Sequence, residues 1–343
     1  MKVAALLPHV EVFGGVRRYL ELGHELAGRG LDVRLFTPRG VGPDWLPFRG
    51  RVGPFSALGE EEFDVGLCSE YSVLPAFDAL RARVKYFYFV LAGHRSEREV
   101  ARRDFRFLAN SRGLSRRLER RYGIDCRTAA GGVNPEIFHP LAAADRPPRP
   151  PGEFHVLCYG RAYKRRKGVA TAVRAVEGLS RRHRGLRLIL FDTLVGEDRR
   201  DPRTLIRPRV PHDFHLNLPQ DRMAWLYGQA DAFVSAERRA GWANTAAEAM
   251  ACGVPVVCTP SGSRDFAVNG ETALVVPLPL SWFLGRQLRR LIEEPDLGRR
   301  LAEAGLRRIQ EFTWARLADH LLEIFRSDLA EGSGGQAPLA SGS

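Results

Sequence analysis

The order of apolar and polar positions divides the chain into two similar halves. In the first, short apolar runs at 3–7, 33–36, 65–67, 86–90 and 107–109 are bounded by turn residues and read as buried strands. Between the first two, Val16, Tyr19, Leu20, Gly23, Leu26 and Ala27 fall on one face of a helix. Strand, helix and strand in repetition predict an open parallel sheet covered on both sides. The segment 146–151, RPPRPP, can form neither a helix nor a central strand, so it reads as a stiff linker and a domain boundary. The alternation then restarts, with strand candidates at 156–159, 186–191, 214–216, 232–235, 254–258 and 274–276. The expected architecture is α/β, with two Rossmann-like domains at 1–145 and 153–310 joined by a linker at 146–152. Trp314, Leu317, Leu321, Leu322 and Phe325 give a last amphipathic helix within 311–330, and the Gly- and Ser-rich 331–343 is expected to be disordered.

Length and composition agree with two ordinary globular domains: 343 residues, 44% hydrophobic and 27% charged. No apolar run is long enough to span a bilayer, and the opening MKVAALLP is too short for a signal peptide. Five cysteines, with no CxxC pair, read as reduced core thiols of a cytoplasmic protein. The net charge of +12 changes the picture, because an anionic partner is then expected: a nucleic acid, an anionic membrane or an anionic substrate. No RNP, KH or helix-turn-helix pattern supports the nucleic acid, which is set aside. The segment 95–127 concentrates arginine, including Arg98, Arg102, Arg103, Arg106, Arg112, Arg116, Arg117, Arg120 and Arg121. These form either a solvated helix partnered by Glu97, Glu99 and Glu119, or a face for an anionic membrane surface, which would make the protein peripheral on the inner side of the membrane.

Three segments carry candidate chemistry. In 237–259, ERRAGWANTAAEAMACGVPVVCT, a turn Gly241-Trp242-Ala243-Asn244-Thr245 enters a helix bearing Glu248, which stops at Cys252-Gly253 before a buried strand. The unpaired amides and positive dipole of a helix N-terminus suit a phosphate, and a carboxylate one turn inside can accept hydrogen bonds from ribose hydroxyls. Gly14-Gly15 lies between the first strand and the first helix, where glycine lets backbone amides approach an anion. Gly160-Arg161 follows the first strand of the second half, and Lys167-Gly168 comes shortly after, so two cations sit where a leaving diphosphate can be neutralised; Arg166 and Lys164 are alternatives to Lys167. There is no HExxH, zinc-type Cys/His set, Walker A, GxSxG or usable DxD, and no cofactor or metal is expected.

The 237–259 segment closely resembles the donor-binding signature of the retaining glycosyltransferases of family 4, the glycosyl transferases group 1, which have the GT-B fold. The resemblance extends in motif order to about Ser327. It implies transfer of a sugar from a nucleotide-diphosphate-sugar donor to a hydroxyl of a carbohydrate or lipid-linked acceptor, in a cleft between the domains. Arg161 and Lys167 would meet the leaving diphosphate, Glu248 the ribose, and Gly14 and Gly15 would close the donor site from the other domain. His94, after the fourth strand, corresponds to a histidine that approaches the donor sugar. The family pattern also places a glutamate eight positions before Glu248, where this chain has Ala240; Glu237 is the candidate replacement. That departure keeps open a second reading, a catalytically weak homologue that binds a nucleotide-sugar or a partner.

Overall fold

The structure, a computed structural model, describes residues 1–196 and 200–333. Among these residues thirteen strands form two sheets. The first contains β1 (Lys2–Leu6), β2 (Asp32–Thr37), β3 (Arg51–Pro54), β4 (Phe63–Cys68), β5 (Ala82–Phe89), β6 (Arg106–Ala109) and β7 (Cys126–Thr128), in the order β3-β2-β1-β4-β5-β6-β7. The second contains β8 (Phe154–Tyr159), β9 (Leu186–Asp192), β10 (His212–Leu216), β11 (Ala232–Ser235), β12 (Val256–Cys258) and β13 (Leu274–Val275), in the order β10-β9-β8-β11-β12-β13. Every pairing between these strands is parallel. Among the described residues ten α-helices connect or cover them: α1 (Gly14–Gly28), α2 (Leu74–Ala79), α3 (Glu97–Val100), α4 (Arg112–Tyr122), α5 (Val169–Ser180), α6 (Met223–Gly228), α7 (Asn244–Ala251), α8 (Ser281–Glu293), α9 (Pro295–Ile309) and α10 (Trp314–Ser333).

The two sheets are Rossmann-like, as the alternation implies. Strands β3 and β7 escape the sequence pattern. Both are edge strands, and β3 carries a glycine and a proline that a central strand would not tolerate. Each sheet buries an apolar cluster on either face. One cluster of the first sheet joins Val3, Tyr19 and Leu20 to Trp314, Leu317, Leu321 and Phe325, so α10 packs against the first domain beside α1. Polar ties fix it there. Tyr86 donates to Asp328 Oδ2 at 2.5 Å, Arg127 pairs with the same carboxylate, and Arg29 Nε meets Asp319 Oδ1 at 2.7 Å. The expected disordered tail is corrected at its start: residues 331–333 complete α10, where Glu331 lies 3.7 Å from Arg106. Residues 334–343 of that tail lie outside the described residues. The prolines of the linker form no regular element, and Arg149 anchors the linker to Asp231 at 2.7 Å.

The five cysteines are buried and unpaired, and burial pushes the thiols of Cys68, Cys126 and Cys158 up to about 12. Among the described residues no helix is long and apolar enough to cross a membrane.

Candidate active site

Each sheet reverses its winding direction once, between β1 and β4 in the first and between β8 and β11 in the second. Loops beyond the carboxyl ends of strands diverge at such points and leave a crevice. Here both crevices face one cavity of about 530 Å³ between the domains. Its lining includes His94, Arg161, Lys167, Gly14, Gly15, Gly241, Trp242, Asn244, Thr245, Glu248 and Glu237, whereas Ala243 and the alternative cation Lys164 stay outside it.

The second domain supplies the cationic wall. Arg161, directly beyond β8, is 5% exposed; its Nε donates to Asp192 Oδ1 at 2.9 Å and its Nη2 to the Thr193 carbonyl at 2.9 Å. Phe13 of the first domain and Tyr159 each lie 5.3 Å from the guanidinium. Burial pushes the Asp192 carboxyl up, and Arg161 opposes that shift. Lys167 ends a 3-10 turn; its Nζ lies 2.6 Å from Glu237 Oε1, and Arg166 Nη1 reaches the same oxygen at 3.2 Å. Of the three candidate cations on this loop, Lys167 and Arg166 line the cavity and Lys164 does not. Glu237 is buried, and its carboxylate holds the two cations in place.

The turn into α7 is more differentiated than the sequence suggests. Asn244 and Thr245 head the helix, whose first amides have no intrahelical acceptor. The Ala243 amide is not available, because it donates to the Gly262 carbonyl at 2.8 Å, and its side chain is buried in the core. Its expected role as a phosphate donor is thereby corrected. The Trp242 ring is also architectural, packed 4.8 Å from Phe266 and 5.4 Å from Phe312. Glu248 is 8% exposed and accepts from the Tyr227 hydroxyl at 2.8 Å. Burial pushes its carboxyl up, while Arg17 of the first domain and Tyr227 pull it back.

The two domains close on the cavity through a glycine on each side that permits close approach. A Cβ on Gly14 would lie 2.2 Å from the Asn244 side chain, and one on Gly241 would lie 2.5 Å from the Val90 carbonyl. Both glycines therefore let the domains meet in addition to their expected place beside the donor. His94 stacks on Tyr71 with ring centroids 3.8 Å apart. Its Nδ1 accepts from the Ser96 amide at 3.1 Å, which places the proton of the neutral ring on Nε2. Buried Glu97 braces this loop from beneath, accepting from the His94 amide at 3.3 Å, from Arg117 at 2.9 Å and from the Tyr122 hydroxyl at 3.0 Å.

Several participants escape sequence reasoning. Arg17, in the first turn of α1, faces Glu248 and stacks over Trp45 and Phe138 at 5.2 and 5.4 Å. Its place just after Gly14-Gly15 is a readable signal. Asp192 also has one, as an acid at the carboxyl end of a strand. Tyr227 and Tyr71 have none. Among the described residues, Tyr71 Oη and Asn110 Oδ1 are buried in the cavity lining without a partner, which marks this wall as built for polar ligand groups.

The arginine series is split by the structure. Arg103 pairs with Asp78 and Glu99, Arg117 with Glu97, and Arg106 with Glu331, whereas Arg116 and Arg120 on α4 line a separate interdomain groove.

Two facing Rossmann-like domains with a site in the cleft define the GT-B class, and solved structures agree. Sucrose-phosphate synthase from Thermosynechococcus elongatus superposes with a TM-score of 0.79 at 19% identity, covering 96% of this chain and 99% of that one. HepE from Anabaena in complex with UDP-glucose gives a TM-score of 0.70 at 16% identity, covering 95% of this chain and all of that one. Residues 153–294 match the family model described as Glycosyl transferases group 1. The second domain thus matches the group 1 glycosyltransferases, and the chain as a whole has the GT-B fold. Among curated relatives, a D-inositol 3-phosphate glycosyltransferase from Saccharomonospora viridis is 30% identical over 218 residues, 60% of this chain and 50% of the relative. The chain thus spans about half the length of the curated relative it matches.

Proposed function

We propose that the chain is a retaining glycosyltransferase that moves a sugar from a nucleotide-diphosphate-sugar to an acceptor hydroxyl, in cell-envelope or polysaccharide synthesis. The observation that carries this reading is the convergence in one cavity of Arg161, Lys167, the start of α7 and Glu248. In this reading Arg161 and Lys167 meet the diphosphate, the first amides of α7 hold its oxygens, and Glu248 accepts from the ribose. Both cations are already fixed, by Asp192 and by Glu237, so little reorganisation is needed as charge grows on the leaving group. The acceptor oxygen bonds to the anomeric carbon as the bond from that carbon to the phosphate oxygen breaks. The acceptor proton passes to the departing phosphate on the same face, which retains configuration without a protein nucleophile or a metal. Catalysis is then mainly positioning and electrostatics. In this reading His94, with Nε2 carrying the proton, donates to the donor sugar.

Thermal stabilisation by UDP, GDP or dTDP tests the donor site. Transfer or hydrolysis of the matching sugar nucleotide, with the product anomer read by NMR, tests the reaction. Stabilisation without turnover would favour the second reading, a weakly active binding homologue, for which Ala240 is the specific support. Neither stabilisation nor turnover would sink both.

A further inference from the structure

A second cavity, of about 1070 Å³, lies between α4 of the first domain and the 259–265 loop of the second. Glu237 and Ala240 line both this groove and the donor cavity, so the two spaces meet at those residues. The groove walls are basic from both sides: Arg116 and Arg120 come from one face of α4, and Arg238 and Arg264 from the second domain. None of these four has a carboxylate within 4 Å among the described residues, whereas Arg117 and Arg308 are paired to Glu97 and Glu311. The acids in the lining are already engaged. Glu237 holds Lys167 at 2.6 Å, Asp265 accepts from the Arg112 amide at 3.2 Å, and Glu119 accepts from Ser115 at 3.0 Å. Four unneutralised guanidinium groups facing one space repel each other until an anion enters. Their planar donor forks match phosphate oxygens.

We propose that this groove binds the phosphate groups of an anionic acceptor whose hydroxyl end passes Ala240 into the donor cavity. The proposal rests on the sugar-transfer reading of that cavity. A carboxylate at position 240 would add an unpaired negative charge at the junction and repel such a chain; with alanine there, the carboxylate of the junction, Glu237, is paired with Lys167 and Arg166. The phosphates belong either to a soluble phosphorylated glycan or to the headgroup of a phosphorylated lipid.

Inorganic tripolyphosphate is the probe, titrated calorimetrically into the full chain. It is expected to bind, with an affinity that falls as NaCl rises. The double variant Arg116→Ala/Arg264→Ala should weaken it by about tenfold or more through loss of two charge-assisted contacts, and should leave nucleoside diphosphate affinity unchanged. Arg161→Lys, in the donor cavity, should leave tripolyphosphate affinity unchanged, and Ala240→Glu should lower it. Equal affinity in the wild type and the double variant, or loss in Arg161→Lys instead, overturns the groove assignment. These titrations need no nucleotide, so a failure of UDP, GDP and dTDP to bind would sink the transfer reading alone. Co-sedimentation with phosphatidylcholine vesicles containing phosphatidic acid identifies the source. Binding that tripolyphosphate displaces and the double variant lacks assigns a lipid headgroup. Absence of vesicle binding, with tripolyphosphate still bound, assigns a soluble phosphorylated acceptor.

Discussion

Glu248→Gln isolates the charge at the base of the donor wall. The substitution keeps the shape, and the amide oxygen can still accept from the Tyr227 hydroxyl, now 2.8 Å from Oε2. What changes is the acceptor offered to a ligand. A hydrogen bond to a charged group contributes about 1.5–3 kcal/mol and one to a neutral group about 0.5–1.5 kcal/mol, so each ribose hydroxyl loses roughly 1 kcal/mol. Two neighbouring hydroxyls lose roughly 2 kcal/mol, about thirtyfold in the dissociation constant of the nucleoside diphosphate, measurable by calorimetry. Burial raises the Glu248 pKa, so the charged acceptor disappears as pH falls through that raised value, before ordinary carboxylates titrate. Wild-type affinity should therefore decline at mildly acidic pH more steeply than that of Glu248→Gln. Stability follows the opposite sense. Between the ordinary and the raised pKa the folded state holds more protons than the unfolded state, so this group's contribution is lost as pH rises through the window. The melting temperature of the variant, relative to wild type, should accordingly improve towards neutral pH. Unchanged nucleotide affinity in a folded Glu248→Gln protein would refute the ribose assignment.

Arg161→Ala should cut turnover by about a hundredfold or more, but it also strands the buried Asp192 carboxylate and should cost about 3–5 kcal/mol of stability. Adding Asp192→Asn should restore the melting temperature and not the rate. Lys167→Ala should show a similar loss of rate with little change in melting temperature, because Arg166 remains on Glu237. Full turnover in Lys167→Ala and in the Arg161/Asp192 double variant would reject the phosphate site. A chain ending at Thr313 loses the buried Trp314, Leu317, Leu321, Leu322, Ile324 and Phe325 from the first domain. At about 1.5–3 kcal/mol each, that loss matches or exceeds the roughly 5–15 kcal/mol by which folded domains are stable, so limited proteolysis should degrade residues 1–145 while sparing 153–310.

The fold was readable because both sheets bury central strands on two faces, which leaves continuous apolar runs at 3–7, 86–90 and 186–191 separated by helical patterns. Edge strands β3 and β7 have no such signature, since one side of each is unpaired and their sequences can be short or broken by proline. The cavity-lining motifs were readable where a ligand constrains backbone, as at Gly14, Gly241 and the start of α7. Side chains that act on other side chains were not. Nothing in the sequence ties Glu237 to Lys167 across 70 positions, or Tyr227 to Glu248 across 21, because those contacts are set by how loops from different strands converge. The Ala243 amide was misassigned for the same reason: its acceptor, Gly262, arrives from the loop after β12.

The docking of α10 on the first sheet also bears on how the chain is made. Translation delivers residues 1–145 before the second domain, yet the part of their sheet's face that α10 covers beside α1 stays open until the residues around Phe325 have left the ribosome. The second domain is encoded without interruption, so its core can close earlier. The half that is synthesised first is then the half that is completed last, and the chain ending at Thr313 stands for that interval. During it the apolar surface beside Tyr19 and Leu20 that α10 covers lies open to solvent or to a chaperone.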